Sequence, residues 1–206
     1  MSMRDKIRAL VERTAERQSV LPDPKRAKRV FPPPPPKPVA DTGYSQAIAG
    51  MAHPAFLRSI AYSEMQTRAN ELEAHLRILE FKAGLIKRMA AIGVPMYAHC
   101  VWRTPDEQLA LFERKRTKAM PGESPHNWGC AVDIVHCRFH WDLTERQWAV
   151  IGHIGKEYAK AAGLNVSWGG DWKFYDPAHW ELTDWKGVDE DGKPVRIPRY
   201  SSLTEL

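Results

Sequence analysis

The longest regular pattern of apolar positions lies in residues 55–91, a stretch without proline. Apolar side chains recur there at alternating spacings of three and four residues, as in a heptad repeat. They are Tyr62, Met65, Ala69, Leu72, Leu76, Leu79, Ala83, Ile86 and Ala90. The pattern predicts one long helix of about 50 Å, at about 1.5 Å per residue. We expect the C-terminal half of this helix to face the core of its own domain and the N-terminal half to project and pair with another helix.

Beyond this helix, short predicted strands alternate with helices. Thr104 and Thr144 are suitable N-caps for two helices, and Gly163 can end the second one. The predicted strands cover residues 94–102, 129–136, 165–168 and 179–182, and the predicted helices cover 105–115 and 144–162. The glycine-rich turns of a dinucleotide-binding fold are absent from the sequence. The pattern predicts an α+β fold: a small mixed or antiparallel sheet with flanking helices, a long N-terminal helix and a proline-rich arm.

Charge separates the N-terminal arm from the rest of the chain. Residues 1–40 hold ten Lys and Arg against four Asp and Glu, so the net charge of +5 resides in this segment. Five consecutive prolines from Pro32 favour a stiff polyproline II spacer. We therefore divide the chain into a basic proline-rich arm or linker at 1–50, a helical extension at 51–75 and a folded domain at 76–206. The arm suits an anionic partner, whereas the balanced charge of the folded domain gives no indication of nucleic-acid binding.

The cysteines and the apolar runs indicate where the chain is made. Cys100, Cys130 and Cys137 are odd in number and lack C-x-x-C spacing, so we expect reduced core thiols made in a cytoplasm. Residues 1–18 lack the apolar core of a signal peptide, and no segment of the sequence reaches membrane-spanning length.

Candidate chemistry is concentrated in two short motifs. His126 lies in a loop seven positions before Asp133, which falls in a predicted strand. Further along the chain, Asp176 precedes His179 by three positions in a turn that enters the last predicted strand. Two histidines and a carboxylate suit tetrahedral zinc, and a catalytic zinc site leaves one position open for water. A second carboxylate nearby can accept a proton from that water.

The motifs S-x-H-x-x-G-x-A-x-D, W-G-G-D-W and D-x-x-H-W resemble those of the D-alanyl-D-alanine carboxypeptidase and L-alanyl-D-glutamate peptidase family, over roughly residues 76–182. The resemblance implies a single zinc ion held by His126, Asp133 and His179. It also implies that Asp176 is the catalytic base. An aspartate at the base position is similar to phage endolysins that cut the L-alanyl-D-glutamate bond.

The resemblance extends to the segment Val101-Trp102-Arg103-Thr104-Pro105-Asp106-Glu107-Gln108. It implies that Arg103 binds substrate or stabilises the oxyanion, a role that suits a permanently charged planar donor. The alternative is a surface salt bridge from Arg103 to Asp106 or Glu107, and Gln108 is interpreted as a packing residue. Ser124 and Trp180 are further candidates for contact with the substrate peptide, and Trp168 is expected to fill the core.

The remaining histidines are interpreted as structural because they lack partners in a motif. They are His53, His75, His99, His140 and His153. His136 could form an alternative ligand pair with His140, but it lies three residues beyond Asp133. On a strand, that offset turns its side chain to the opposite face.

These features predict a zinc peptidase that hydrolyses peptidoglycan stem peptides. It would act as a phage endolysin freed by a holin-type route, or as a virion-associated enzyme whose residues 1–75 mediate docking or self-association. The alternatives are a D-alanyl-D-alanine carboxypeptidase of wall remodelling and a non-catalytic virion structural protein with a vestigial zinc site. The intact set of candidate ligands and base disfavours the last of these.

Overall fold

Four strands pair into one antiparallel sheet in a computed structural model of the chain, which describes residues 43–187. Strand β1 covers Met96–Cys100, β2 covers Ala131–His136, β3 covers Val166–Trp168 and β4 covers His179–Leu182. Their order across the sheet is β1-β2-β4-β3, and every neighbouring pair is antiparallel. Together with the flanking helices, this sheet confirms the predicted α+β class.

Within residues 43–187, five α-helices surround the sheet. They are α1 (Tyr44–Met51), α2 (Ile60–Met65), α3 (Leu76–Ala91), α4 (Pro105–Glu113) and α5 (Glu145–Ala162). Short 3-10 helices lie at Phe56–Arg58, Pro125–Trp128 and Gly169–Asp171. Thr104 and Thr144 form capping boxes at the starts of α4 and α5, and Gly163 ends α5 in the left-handed region at φ 67°. Within residues 43–187, no helix combines the length and the apolar character needed to cross a bilayer.

The long helix predicted over 55–91 is wrong, because the chain leaves helical geometry between Met65 and Leu76. Asn70 accepts a hydrogen bond from the Leu72 amide through its side chain, and His75 caps α3 by accepting one from Arg77. The main chain of this segment also bonds to distant loops: Trp102 N donates to Asn70 O and His75 N donates to Gly129 O, both at 2.9 Å. These local and long-range hydrogen bonds replace those that a continuous helix would have made.

The segment predicted to project packs against the body instead. Ala47 and Met51 of α1 are buried in the main core, and Tyr62, Met65 and Ala69 lie against it. Leu72 and Leu76, the two apolar positions at the centre of the predicted seam, are largely exposed because they flank the break. The predicted arm lies outside the described residues up to position 42.

The core lies between the sheet and helices α3 and α5. Trp180 of β4 is fully buried, 4.8 Å from the ring of Phe81 in α3 and 5.7 Å from that of Trp168, measured between ring centres. Gly155 of α5 faces the same indole so closely that an added Cβ would overlap it. Trp180 is therefore a core residue, and its predicted contact with substrate is wrong. Trp168 fills the core as expected.

Candidate metal centre

The sheet register brings three chemically active side chains into line. Cys100 at the end of β1 pairs with Asp133 of β2, and Asp133 pairs with His179 of β4. Because neighbouring positions on paired strands point to the same face, these side chains meet above the sheet. Val132, Ile134 and Trp180 point to the opposite face and are fully buried in the core. The alternation of strand side chains thus separates the site from the core.

His126 reaches the site from the 3-10 helix Pro125–Trp128 rather than from a strand. The loop is fixed by Arg103 N, which donates to His126 O at 3.1 Å, and by Gly129, which follows at φ 63°. A Cβ at Gly129 would overlap the backbone of Glu73, so only glycine allows this close approach. His126 Nδ1 lies 2.9 Å from Val101 O. A carbonyl only accepts, so Nδ1 carries a proton and Nε2 is the nitrogen left to bind a metal ion.

The predicted ligands His126, Asp133 and His179 converge within hydrogen-bonding distance. His126 Nε2 lies 3.3 Å from His179 Nδ1 and 3.3 Å from Asp133 Oδ1, and His179 Nδ1 lies 3.0 Å from Asp133 Oδ1. In tetrahedral zinc sites, with bonds of about 2.0–2.1 Å, donor atoms are spaced about 3.3 Å apart. The triangle therefore fits one zinc ion in the chemistry of its donors and in their spacing.

Each imidazole is held from its outer edge. Val101 O accepts a hydrogen bond from Nδ1 of His126, and Glu181 Oε2 lies 3.1 Å from Nε2 of His179. Glu181 is in turn fixed by Trp185 Nε1, which donates to Oε1 at 3.1 Å. An acceptor at the outer nitrogen sets the tautomer and the ring orientation of a metal-binding histidine. No role was predicted for Glu181, although its position two residues after His179 on one strand places both on the same face.

Cys100 provides an alternative donor that the sequence did not indicate. Its thiol, His126 and Asp133 offer donor atoms within 4.8 Å of one another. The sulfur, however, lies 3.6 Å from His126 Nδ1, the nitrogen whose proton is directed at Val101 O. We therefore favour His179 over Cys100 as the third ligand. All three cysteines are free, as predicted, and Cys100 is only half-buried whereas Cys130 and Cys137 are buried.

The electrostatics of the three donors are strongly coupled. Burial alone would lower the pKa of His126, but the Asp133 carboxylate raises it to about 10. Burial alone would also lower the pKa of His179, but hydrogen bonds to Asp133 and Glu181 raise it. Burial would raise the pKa of Asp133, yet His126 and His179 hold it well below its usual value. The buried carboxylate thus favours a proton on each imidazole, and a metal ion that bound here would displace these protons.

Asp176 lies at the edge of this cluster, in the turn before β4. Its main chain is fixed on both sides, since its N–H donates to Gly169 O at 3.0 Å and its carbonyl accepts from His179 N at 3.1 Å. A Cβ at Gly169 would overlap the Asp176 carbonyl, so the W-G-G-D-W motif permits this turn. Burial and, next, the charge of Asp133 raise the pKa of Asp176, while the two imidazoles lower it. The charges of all three donor residues therefore affect the pKa of Asp176, which is not itself one of the three proposed donors.

Arg103 points at the site and not at the surface acids considered for it. Its Nη2 lies 3.9 Å from Asp133 Oδ2 and 3.5 Å from Cys100 Sγ, and its Nη1 donates to Gln108 Oε1 at 2.9 Å. Gln108 is fully buried and is itself held by Ala119 O, to which its amide donates at 2.8 Å. Gln108 is therefore more than packing: it fixes the direction of the guanidinium.

The other candidates are structural or remain untested. His136 is fully buried on the opposite face, with Nε2 2.9 Å from Met51 O, so the offset from Asp133 was interpreted correctly. Ser124 is buried at the start of the 3-10 helix that carries His126, and its carbonyl accepts from Asn127 N at 3.0 Å. Its contact with substrate stays a prediction.

Comparisons with known proteins found one matching family model and a similar sequence. A family model described as D-alanyl-D-alanine carboxypeptidase matches residues 117–182. Peptidoglycan L-alanyl-D-glutamate endopeptidase CwlK of Bacillus subtilis (strain 168) is 30% identical over an alignment of 125 residues, which covers 51% of this chain and 71% of CwlK.

Two solved structures are also similar. The crystal structure of Serratia marcescens L-Ala D-Glu endopeptidase ChiX has a TM-score of 0.46 and 24% identity, and covers 57% of this chain and 88% of its own. A mutant of the vancomycin resistance D,D-pentapeptidase VanY in complex with Zn(II) has a TM-score of 0.39 and 18% identity, and covers 53% of this chain and 72% of its own. On the extent and identity of the match to CwlK, this chain belongs to the D-alanyl-D-alanine carboxypeptidase family of metallopeptidases.

Proposed function

We propose that this protein hydrolyses the stem peptide of peptidoglycan, with one zinc ion held by His126, Asp133 and His179. The observation that carries the proposal is the triangle of donor atoms, whose sides measure 3.0 to 3.3 Å. The L-alanyl-D-glutamate endopeptidase activity in the name of CwlK supports the same class of substrate.

Zinc bound at this triangle supplies a Lewis acid that polarises a peptide carbonyl and makes water more acidic. Asp176 then acts as the general base that accepts a proton from the attacking water. Its raised pKa makes Asp176 a stronger base than an ordinary carboxylate, which favours acceptance of the proton and its later return to the leaving amine. Asp133 is less suited to this task, because it is a proposed zinc ligand and the two imidazoles hold its pKa well below the usual value.

Arg103 neutralises the negative charge that develops on the carbonyl oxygen of the substrate. It is half-buried beside Asp133, with Gln108 directing its guanidinium, so the donor is preorganised before the substrate arrives. Ser124, in the loop that carries His126, would add a hydrogen bond to the substrate peptide.

For the bond cut, we propose the one between L-alanine and D-glutamate. CwlK is named for this bond, and the aspartate at position 176 supports the same choice through the resemblance to endolysins. The second candidate is a D-alanyl-D-alanine carboxypeptidase, which the description of the matching family model favours. The new termini distinguish the two: the first reaction exposes the amine of D-glutamate and the second releases free D-alanine.

The test is digestion of purified peptidoglycan with zinc-loaded protein, followed by mass spectrometry of the products. Asp176→Asn should retain zinc and lose turnover, whereas His126→Ala should lose both. Unchanged muropeptides with zinc present would exclude the enzyme, and near-normal turnover by Asp176→Asn would show that another group is the base.

For delivery, we propose a phage endolysin or a virion-associated enzyme, on the evidence of the basic proline-rich arm. Sedimentation of particles with the full chain, and with a variant lacking residues 1–50, separates the two. Co-sedimentation that requires the arm identifies a virion component, and its absence with the full chain identifies a free endolysin. Co-sedimentation that survives the deletion would refute the docking role of the arm.

A further inference from the structure

A cavity of about 420 Å³ adjoins the candidate metal centre on the side of β1 and α4. Cys100 and Arg103 line it, and these two side chains also approach His126 and Asp133 at the metal centre. The cavity therefore lies beside the candidate metal centre. Among its lining residues, Trp102, Arg103 and Glu107 belong to a segment that the sequence singled out.

The charge of the cavity is strongly one-sided. Arg68, Arg103 and Arg114 line it, and Glu107 is the sole acid among the lining residues. Glu107 is occupied by the capping box of α4, where its Oε2 accepts from Thr104 N at 2.9 Å and from Thr104 Oγ1 at 3.1 Å. Arg103 is held by Gln108. Among residues 43–187, neither Arg68 nor Arg114 has an ion-pair partner.

The backbone around these arginines is anchored. Gln66, two residues before Arg68, donates from its side chain to Met96 O in β1 at 3.1 Å. Asn70, two residues after it, accepts from Trp102 N at 2.9 Å. Arg114 follows directly after α4 and donates its N–H to Ala110 O. Arg68 and Arg114 are exposed side chains that extend from an anchored backbone at one cavity, and neither has an ion-pair partner among residues 43–187.

We propose that Arg68 and Arg114 form a subsite for a free carboxylate of the substrate. Guanidinium groups bind carboxylates through paired, charge-assisted hydrogen bonds, and two such groups at one cavity can accommodate both carboxylate oxygens. The inference rests on the proposed function, which supplies the ligand: the D-glutamyl residue beside the scissile bond bears a carboxylate that is not part of the chain. The subsite would make the enzyme selective for the acid over the corresponding amide.

The experiment compares two stem peptides that differ only in whether the D-glutamyl carboxylate is free or amidated. Binding is measured by calorimetry on zinc-loaded Asp176→Asn protein, so that it does not depend on turnover. The double variant Arg68→Gln/Arg114→Gln is compared with Arg58→Gln/Arg116→Gln, which removes the same charge from two exposed arginines outside the cavity. This control cancels the effect of net charge.

We expect the parent protein and the control to bind the acid at least about tenfold more tightly than the amide, as one or two charge-assisted bonds allow. In Arg68→Gln/Arg114→Gln the preference should fall below about twofold, the change expected when these bonds are lost. A preference that survives in this variant, or that is missing from the parent, overturns the subsite. Selective binding without cleavage by the wild type would refute the proposed function alone, and cleavage without selectivity would refute the subsite alone.

Discussion

His179 directs Nε2 at Glu181 Oε2, 3.1 Å away, and thereby leaves Nδ1 to face Asp133 and His126. The two residues are two positions apart on β4, so the strand itself sets their spacing. Trp185 fixes the far oxygen of the same carboxylate. Glu181 thus orients His179, a proposed zinc ligand, and is not itself one of the proposed donors.

Glu181→Ala should weaken zinc binding by about 10- to 100-fold, because His179 loses the acceptor that orients its ring. Competition with a chromophoric chelator measures the affinity. Glu181→Gln keeps an acceptor and should lose less. Trp185→Phe is the control, since it removes the donor to Oε1 but leaves the contact with His179. Equal affinity of Glu181→Ala and wild type would contradict the positioning role.

Gln108→Leu should lower kcat by about tenfold, because Arg103 loses the hydrogen bond that directs it at the site. It should also cost about 1–3 kcal/mol of folding free energy, since Ala119 O loses its donor. Steady-state kinetics and urea unfolding measure the two effects. Combined with Arg103→Ala, the change in kcat should be far from additive. Additive effects would show that Gln108 acts on folding alone.

Removal of zinc should lower the thermal stability of the protein. The free energy of unfolding falls by the binding contribution, about 4 kcal/mol when free zinc exceeds the dissociation constant a thousandfold. Differential scanning calorimetry with a chelator, followed by re-addition of zinc, tests this. His126→Ala should show no zinc-dependent shift. A shift of wild-type size in that variant would place the stabilising metal elsewhere.

The three thiols should differ sharply in reactivity at pH 8. Burial raises the pKa of Cys130 and of Cys137 to about 12, so their thiolate fraction is very small at that pH and the reagent cannot reach them. Cys100 is half-buried and lies beside the guanidinium of Arg103. Iodoacetamide with peptide mapping should therefore label Cys100 first. Labelling of Cys130 or Cys137 at the same rate in folded protein would contradict this order.

Gly155→Ala should destabilise the fold by about 1–3 kcal/mol, although alanine is the better helix former. The added methyl group would overlap the ring of Trp180, which Phe81 and Trp168 already enclose. Urea unfolding measures the change. An increase in stability would mean that the indole can move, and that the core face of β4 is less tightly packed than described.

The sequence predicted the elements that depend on local signals. Thr104 and Thr144 capped the helices that they were expected to cap, and the motif residues His126, Asp133 and His179 meet in the structure. It failed where a heptad spacing competed with hydrogen bonds made to distant loops, as at Asn70 and His75. Trp180 was misassigned although the strand alternation from His179 already pointed it away from the site.

Other features lacked a recognisable signal in the sequence. Gln108 follows Arg103 by five residues, but nothing in its type or spacing distinguishes an acceptor for the guanidinium from a packing residue. Arg68 lines the cavity beside Cys100 and Arg103 from a separate segment, which only the folded chain brings near. Glu181 is the exception, because its spacing from His179 could have identified it. Side chains that support a site from another segment need the tertiary structure to be recognised.

The break in the predicted long helix determines where a minimal catalytic fragment can begin. Residues 66–75 cross over the loops that carry Arg103 and His126, bonding to Trp102 and Gly129. Further upstream, the carbonyl of Met51 accepts a hydrogen bond from Nε2 of the buried His136. A fragment that starts at residue 76, the boundary suggested by the motifs, would retain every candidate ligand. It would nevertheless lose the hydrogen bonds that hold the loops of Arg103 and His126 in place. Engineering of a shortened enzyme should therefore keep the chain from α1 onward.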